Sequence, residues 1–245
     1  MPELRLAVGG AGAGRPDVLS CVLAHVAVGG PWRTLLFLTN ADPAATGVAT
    51  LSFFTSDGGP LRVALSDGRK TVEASAFEIT LSPRNSMFLE TVNLPAGTLV
   101  GYADLKNQAG KITGYAIFRA VLPSRPNLEA VVPLEWGVSD EAIIAYDNTG
   151  GFVTSVALAN RWLYLPCDLL VEVYDDDGLL LTTYRRMLAG GTHAAFETPR
   201  EWPATAGRRG IVRISRVGTT GAFAALALLF NPTGSLTTAP VIDLP

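Results

Sequence analysis

Gly30-Pro31-Trp32-Arg33-Thr34-Leu35-Leu36-Phe37-Leu38-Thr39-Asn40 is matched 120 positions later by Gly150-Gly151-Phe152-Val153-Thr154-Ser155-Val156-Ala157-Leu158-Ala159-Asn160, and this pair of stretches decides the fold. Leu36 and Leu38 alternate with Leu35, Phe37 and Thr39, as Val156 and Leu158 alternate with Ser155, Ala157 and Ala159. A period of two is the mark of a strand with one buried face. The match runs on without a gap through residues 30–58 and 150–178. Leu51 faces Val171, Phe53 faces Val173, Phe54 faces Tyr174, Asp57 faces Asp177, and Gly58 faces Gly178.

Further along the match resumes at a shorter offset. Leu81 pairs with Leu188, Glu90 with Glu197, and residues 101–105 with 210–214. The first copy therefore carries an insertion near residues 66–76, a polar stretch that reads as a longer loop. An internal repeat of about 110 residues has the size of one sandwich domain. The implied organisation is a Gly-rich linker or extension at residues 1–20, a first repeat at 21–136 and a second at 137–245.

Turn signals of the Asp-Gly type, Asp57-Gly58-Gly59 and Asp177-Gly178, follow the second strand of each copy and predict hairpins. Further strands are expected at residues 77–81, 86–91, 99–105 and 112–120, and at 180–188, 192–197, 210–215 and 222–230. About seven short strands per unit predict an all-β chain, a tandem pair of antiparallel immunoglobulin-like β-sandwiches arising from internal duplication. Residues 123–129 and 197–206 read as loops, the latter with a short helical turn.

Residues 24–40 and 147–178 resemble a recurring β-sandwich module of large secreted or surface proteins of environmental bacteria. In that module a Gly-Gly-aromatic-x-Thr run leads into an alternating strand ending in Asn, then a strand and an Asp-rich Gly hairpin. The resemblance spans both copies. It implies an immunoglobulin-like architecture, an extracellular or cell-surface location and a non-catalytic role, and it names no ligand. The N-terminus shows no signal peptide, because Arg5 interrupts a short apolar run; a portion of a longer secreted protein is the expectation.

Composition narrows the function classes. Hydrophobic residues make up 48% and charged residues 17%, a folded composition. Eleven basic and eleven acidic residues precede Trp136, and eight basic and eleven acidic follow it. Neither half carries the excess of positive charge that nucleic-acid binding needs. Arg208, Arg209, Arg213 and Arg216 form a local cluster that reads as an anion site or a solvated face. No apolar run is long enough for a membrane-spanning helix, so membrane insertion is not expected.

No motif points to catalysis. Gly10 and Gly12 are followed by Arg15 where a dinucleotide loop needs Gly. His25 and His193 do not occupy equivalent repeat positions and read as structural imidazoles. Cys21 and Cys167 are too few for a disulfide scaffold, although they could form one bridge. Asp175, Asp176 and Asp177 could contribute oxygen ligands to calcium, yet they stand where a hairpin already calls for Asp and Gly. Trp162 and Tyr164, in an expected loop, are candidates for stacking on a polysaccharide, whereas replacement of Trp32 by Phe152 suggests core filling.

Three readings follow: a structural or adhesive module assembling with protein partners or with itself through strand edges, a carbohydrate-binding module, or a hydrolase with an unrecognised carboxylate pair. In the first, the segment before Leu23 or the tail at residues 239–244 is the expected donor of a strand.

Overall fold

The computed structural model describes residues 2–7, 20–92, 96–124 and 126–244. Most of the linker expected at residues 1–20, including its Gly-rich run, lies outside the described residues. The chain is all-β, with one four-residue helix among the described residues and every strand pairing antiparallel. It divides into two compact units, Met1–Gly137 and Val138–Pro245.

The first unit runs β1 (Glu3–Leu6), β2 (Ser20–Val28), β3 (Trp32–Asn40), β4 (Gly47–Thr55), β5 (Val63–Ser66), β6 (Thr71–Ala74), β7 (Ala76–Leu81), β8 (Ser86–Val92), β9 (Leu99–Ala109), β10 (Ile112–Ala120), β11 (Leu128–Pro133) and β12 (Glu135–Trp136). Its strands form two sheets, ordered β1-β7-β4-β9-β2-β12 and β11-β10-β3-β8-β5-β6. Leu36, Leu38, Ile112, Phe118 and Leu89 supply the inward rows of one sheet, and Leu51, Phe53, Phe77, Ile79 and Leu105 those of the other. The inserted segment is not a loop. It folds as the β5–β6 hairpin, whose turn is held by Asp67 Oδ1 accepting from the Arg69 and Lys70 N–H groups.

Nor is residue stretch 1–20 only a linker, since Glu3–Leu6 pairs with β7 from Glu3↔Thr80 to Leu6↔Phe77. Leu4 is fully buried there, worth about 1.5–3 kcal/mol.

The second unit runs β13 (Glu141–Asp147), β14 (Val153–Ala159), β15 (Cys167–Asp175), β16 (Leu180–Leu188), β17 (His193–Glu197), α1 (Thr198–Glu201), β18 (Arg209–Arg216), β19 (Ala224–Phe230), β20 (Leu236–Ala239) and β21 (Val241–Leu244). The sheets β16-β15-β18-β13-β21 and β17-β14-β19-β20 enclose one core. Ile144, Val171, Val173, Val212 and Ile214 come from the first, and Val156, Leu158, Ala225 and Ala227 from the second. At the flank between β16 and β17, α1 and the 3-10 turn Pro203–Thr205 bring in Trp202, which is buried and edge-on to Phe196 at 4.9 Å. In the first unit the corresponding sheet edge, at β7, is completed by β1.

The same polar joints recur in both units. Asn40 and Asn160 are fully buried at the ends of β3 and just after β14. Asn40 Nδ2 donates to the carbonyls of Ala45, Leu81 and Ser82 at 2.8, 3.1 and 3.3 Å. Asn160 Nδ2 donates to those of Leu165, Leu188 and Ala189 at 2.8, 3.2 and 3.2 Å. Asn suits this joint because one compact amide supplies two donors and an acceptor. Thr34 Oγ1 donates to the Ala27 carbonyl at 2.9 Å, and Thr154 Oγ1 to the Asp147 carbonyl at 3.1 Å. Gly101 and Gly210 sit where a side chain has no room: a Cβ would lie 1.8 Å from the Phe54 carbonyl oxygen and 2.1 Å from that of Tyr174.

Trp32 and Phe152, expected in the core, are only half-buried. Both stand where the chain enters the sheet from a turn.

Candidate functional site

Three surfaces carry candidate chemistry, two of them singled out by the sequence. The first is the Asp-rich hairpin after β15. Asp175 Oδ1 accepts from the Asp177 and Leu179 N–H groups at 3.1 and 2.9 Å, and Gly178 takes φ +80° to close the turn. The Asp175 carboxylate is thus committed to its own backbone, the ordinary use of Asp in such a turn. Asp175 and Asp176 line a shallow depression of about 450 Å³ with Tyr146, Asp147, Arg209 and Ile211. Burial raises the Tyr146 phenol above its ordinary pKa, and Asp175 and Asp176 push the same way against Arg208. Its hydroxyl donates to the Tyr174 carbonyl at 3.1 Å. Among the described residues no group of three or more His, Cys, Asp or Glu side chains converges as metal ligands.

The three arginines of the cluster that lie on β18 are engaged by neighbouring side chains. Arg213 and Arg209 do share the outer face, as alternate positions must. Arg213 binds Glu141 through two nitrogens at 2.5 and 2.6 Å and reaches Glu172 at 2.8 Å. Hydrogen bonds from Arg213 hold the Glu141 carboxyl below its ordinary pKa. Arg216 pairs with Asp140 at 2.7 Å, and Arg209 donates to Thr149 Oγ1 at 3.2 Å. This arrangement is a cross-strand charge network, not an open anion cradle.

The second surface is the loop after β14. Asn160 pins it, its Oδ1 accepting from the Trp162 N–H at 3.1 Å. The two proposed sugar-stacking residues separate here: Tyr164 is 78% exposed, while Trp162 is half-buried. The Trp162 indole N–H is shielded and has no hydrogen-bond partner among the described residues.

The third surface did not register in the sequence. Cross-strand register sets Tyr115, Phe37 and Phe88 side by side on the outer face of β10, β3 and β8. Each is close to two-fifths exposed, and Val131 on β11 adjoins them. Phe37 and Tyr115 are stacked at 5.3 Å and 4°, and Phe88 meets Phe37 edge-on at 5.6 Å. Phe37 thus has an aromatic neighbour on each adjoining strand. With Val131 the three rings make an exposed apolar ridge on the outer face of this sheet. The only signal was Phe37 and Phe88 at polar-phase positions of their strands; their pairing needs the register.

The remaining reactive side chains are the half-buried His25 and the buried His193, Cys21 and Cys167. His25 packs edge-on against Phe118 at 5.5 Å, and burial lowers its pKa to about 4, so the ring is neutral at neutral pH. His193 is buried in β17. Cys21 and Cys167 are buried thiols in separate units, in no disulfide, and burial pushes Cys167 up to about 11.

In comparisons with known proteins, the chain matches no family model and no curated protein. No helix among the described residues is long and apolar enough to cross a membrane.

Proposed function

We propose that this chain is a duplicated pair of immunoglobulin-like sandwiches serving as a non-catalytic structural or adhesive module that associates with itself or with protein partners through strand edges. The observation that carries this reading is the edge at β7. A four-residue strand from the N-terminal end of the chain completes that edge and buries Leu4, so accepting an incoming strand is how this sandwich closes. Strand addition of this kind gives affinity through main-chain hydrogen bonds and specificity through alternate side chains. The duplication is supported by the Asn40 and Asn160 joints, which engage matching carbonyls in the two units. The extracellular or cell-surface location rests on the resemblance of residues 24–40 and 147–178 to modules found there.

Light scattering coupled to gel filtration across a concentration series tests association. Species larger than 25.8 kDa that grow with concentration are the expected result. A monomer at every concentration, with no strand-donating partner captured, refutes it.

A second reading, carbohydrate binding, is favoured by the exposed Tyr164 on a pinned loop. It requires Tyr164→Ala to lose retention on a polysaccharide gel, and unchanged retention disposes of it.

A further inference from the structure

We infer that β1 is an exchangeable strand, with residues Glu3–Leu6 of one copy taking the β7 edge of a second copy in the register they hold within their own chain. The inference rests on the association reading above and names its route.

Two terminal strands are candidates for donation, and the structure separates them. β21 follows β20 after Pro240 alone, and none of its residues is fully buried. It has neither an anchor nor a tether. β1 has both. Leu4 is fully buried opposite Ile79, and Ala7 N–H donates to the Ala76 carbonyl at 3.3 Å, continuing the ladder by one more pair.

Residues 7–19 join β1 to β2, and in the sheet these two strands are separated by β7, β4 and β9. Four strand spacings amount to roughly 19 Å. Thirteen residues can span at most about 45 Å. The connection therefore exceeds that straight-line separation, and the same strand can reach an edge on a neighbouring copy. Every β1–β7 contact is identical within a chain and between chains; only the path of residues 7–19 differs. Exchange of an identical element is a low-cost route to assembly.

The acceptor is the β7 edge rather than its counterpart in the second unit. At the position matching Ile79 stands Arg186, which lies over the Phe196 ring and pairs with Glu201. A charged side chain at an inward position of an edge strand blocks pairing with another chain. Opposite Arg5 in the same register would stand Arg185, a like charge, where β7 offers Glu78. The second unit refuses the strand that the first accepts.

A tether of this length holds β1 near its own edge at an effective concentration on the order of millimolar. Exchange therefore becomes appreciable at several hundred micromolar protein, or where many copies are held side by side.

The test uses two full-length single variants, Arg5→Cys and Glu78→Cys, refolded together from urea at high concentration so that kinetic trapping within a chain cannot hide exchange. A short bis-maleimide is then added. Cys21 and Cys167 are fully buried, and the parent protein treated alike gives the background. The double variant Arg5→Cys/Glu78→Cys, cross-linked within one chain in dilute solution, verifies the register and the reagent.

The expected result is a covalent dimer from the mixture, at least five-fold above either variant alone and rising with protein concentration. Dimers seen by light scattering without that cross-link overturn strand exchange and leave the association reading standing. Monomers at all concentrations up to about 1 mM overturn both strand exchange and self-association.

Discussion

Replacing Asn40 with alanine isolates the joint on which both units depend. The amide donates to three carbonyls and accepts from the N–H groups of Asp42 and Lys111 at 3.1 and 3.2 Å. Of the three carbonyls, that of Leu81 is bonded in a fully buried setting, so water cannot easily replace the lost donor. Leaving one buried acceptor unsatisfied costs about 1–3 kcal/mol, and the remaining bonds contribute about 0.5–1.5 kcal/mol each. Ala45 is exposed, so its carbonyl recovers a water and its share is small. The total expected is about 3–5 kcal/mol.

With a urea slope of about 1.5 kcal/mol/M, the unfolding midpoint falls by about 2–3 M. Urea titration followed by far-ultraviolet circular dichroism measures this. A shift below about 0.5 M would refute the reasoning, because it would mean that water or local rearrangement satisfies the Leu81 carbonyl. Asn40→Asp sharpens the test. A carboxylate facing three carbonyl oxygens is disfavoured when charged, which raises its folded-state pKa above about 3.9. That variant should therefore be least unstable at low pH and lose stability as pH rises through the raised value.

Other expectations follow from the same geometry. Gly101→Ala or Gly210→Ala forces a Cβ against a backbone oxygen and should cost about 3 kcal/mol or more, whereas Gly97→Ala, with nothing within 4 Å, should leave the melting temperature nearly unchanged. Trp202→Ala empties the flank between β16 and β17 and should cost about 3–5 kcal/mol in chemical denaturation; a loss under 1 kcal/mol would mean that Trp202 does not hold that flank. Burial lowers the His25 pKa from the ordinary 6.5 to about 4, so the unfolded chain binds the proton more readily. Stability should be full above pH 6.5 and fall as pH drops toward 4, by up to about 3 kcal/mol and less to the extent that solvent reaches the half-buried ring. The difference in pH-dependent stability between the parent and His25→Gln measures this, and identical profiles would contradict it.

Much of the strand content was legible in the residues. Alternation at Leu36 and Leu38, and at Val156 and Leu158, predicted inward rows, and all four residues are buried; Leu35, Ala157 and Ala159, on the opposite phase, are buried too, so the burial is not confined to one face. The Asp-Gly turns after β4 and β15 were equally readable, because positive φ at Gly58 and Gly178 is a local requirement that only a few residues meet. Less legible were elements whose partners lie far away in sequence. β1 and the β5–β6 hairpin read as linker and loop because each is only four residues per strand, too short for periodicity to register. β11 was missed for a similar reason, its six residues following a segment that reads as loop.

The candidate surfaces divide along the same line. From sequence alone, Trp162 and Tyr164 were equivalent loop aromatics, and the arginines near residue 210 were an open cluster. Tertiary structure shields one aromatic and exposes the other, and it supplies Glu141, Glu172 and Asp140 as partners from neighbouring strands. The row of Tyr115, Phe37 and Phe88 exists only once cross-strand register places three separate strands side by side. What the sequence by itself determined was therefore the local part: alternation, turn chemistry and the matched punctuation of residues 30–58 and 150–178, each set by interactions within a few residues. Which edges are filled, which charges are paired and which aromatics meet was decided only by the tertiary structure, because these depend on residues tens of positions apart being brought to hydrogen-bonding distance by strand order and register.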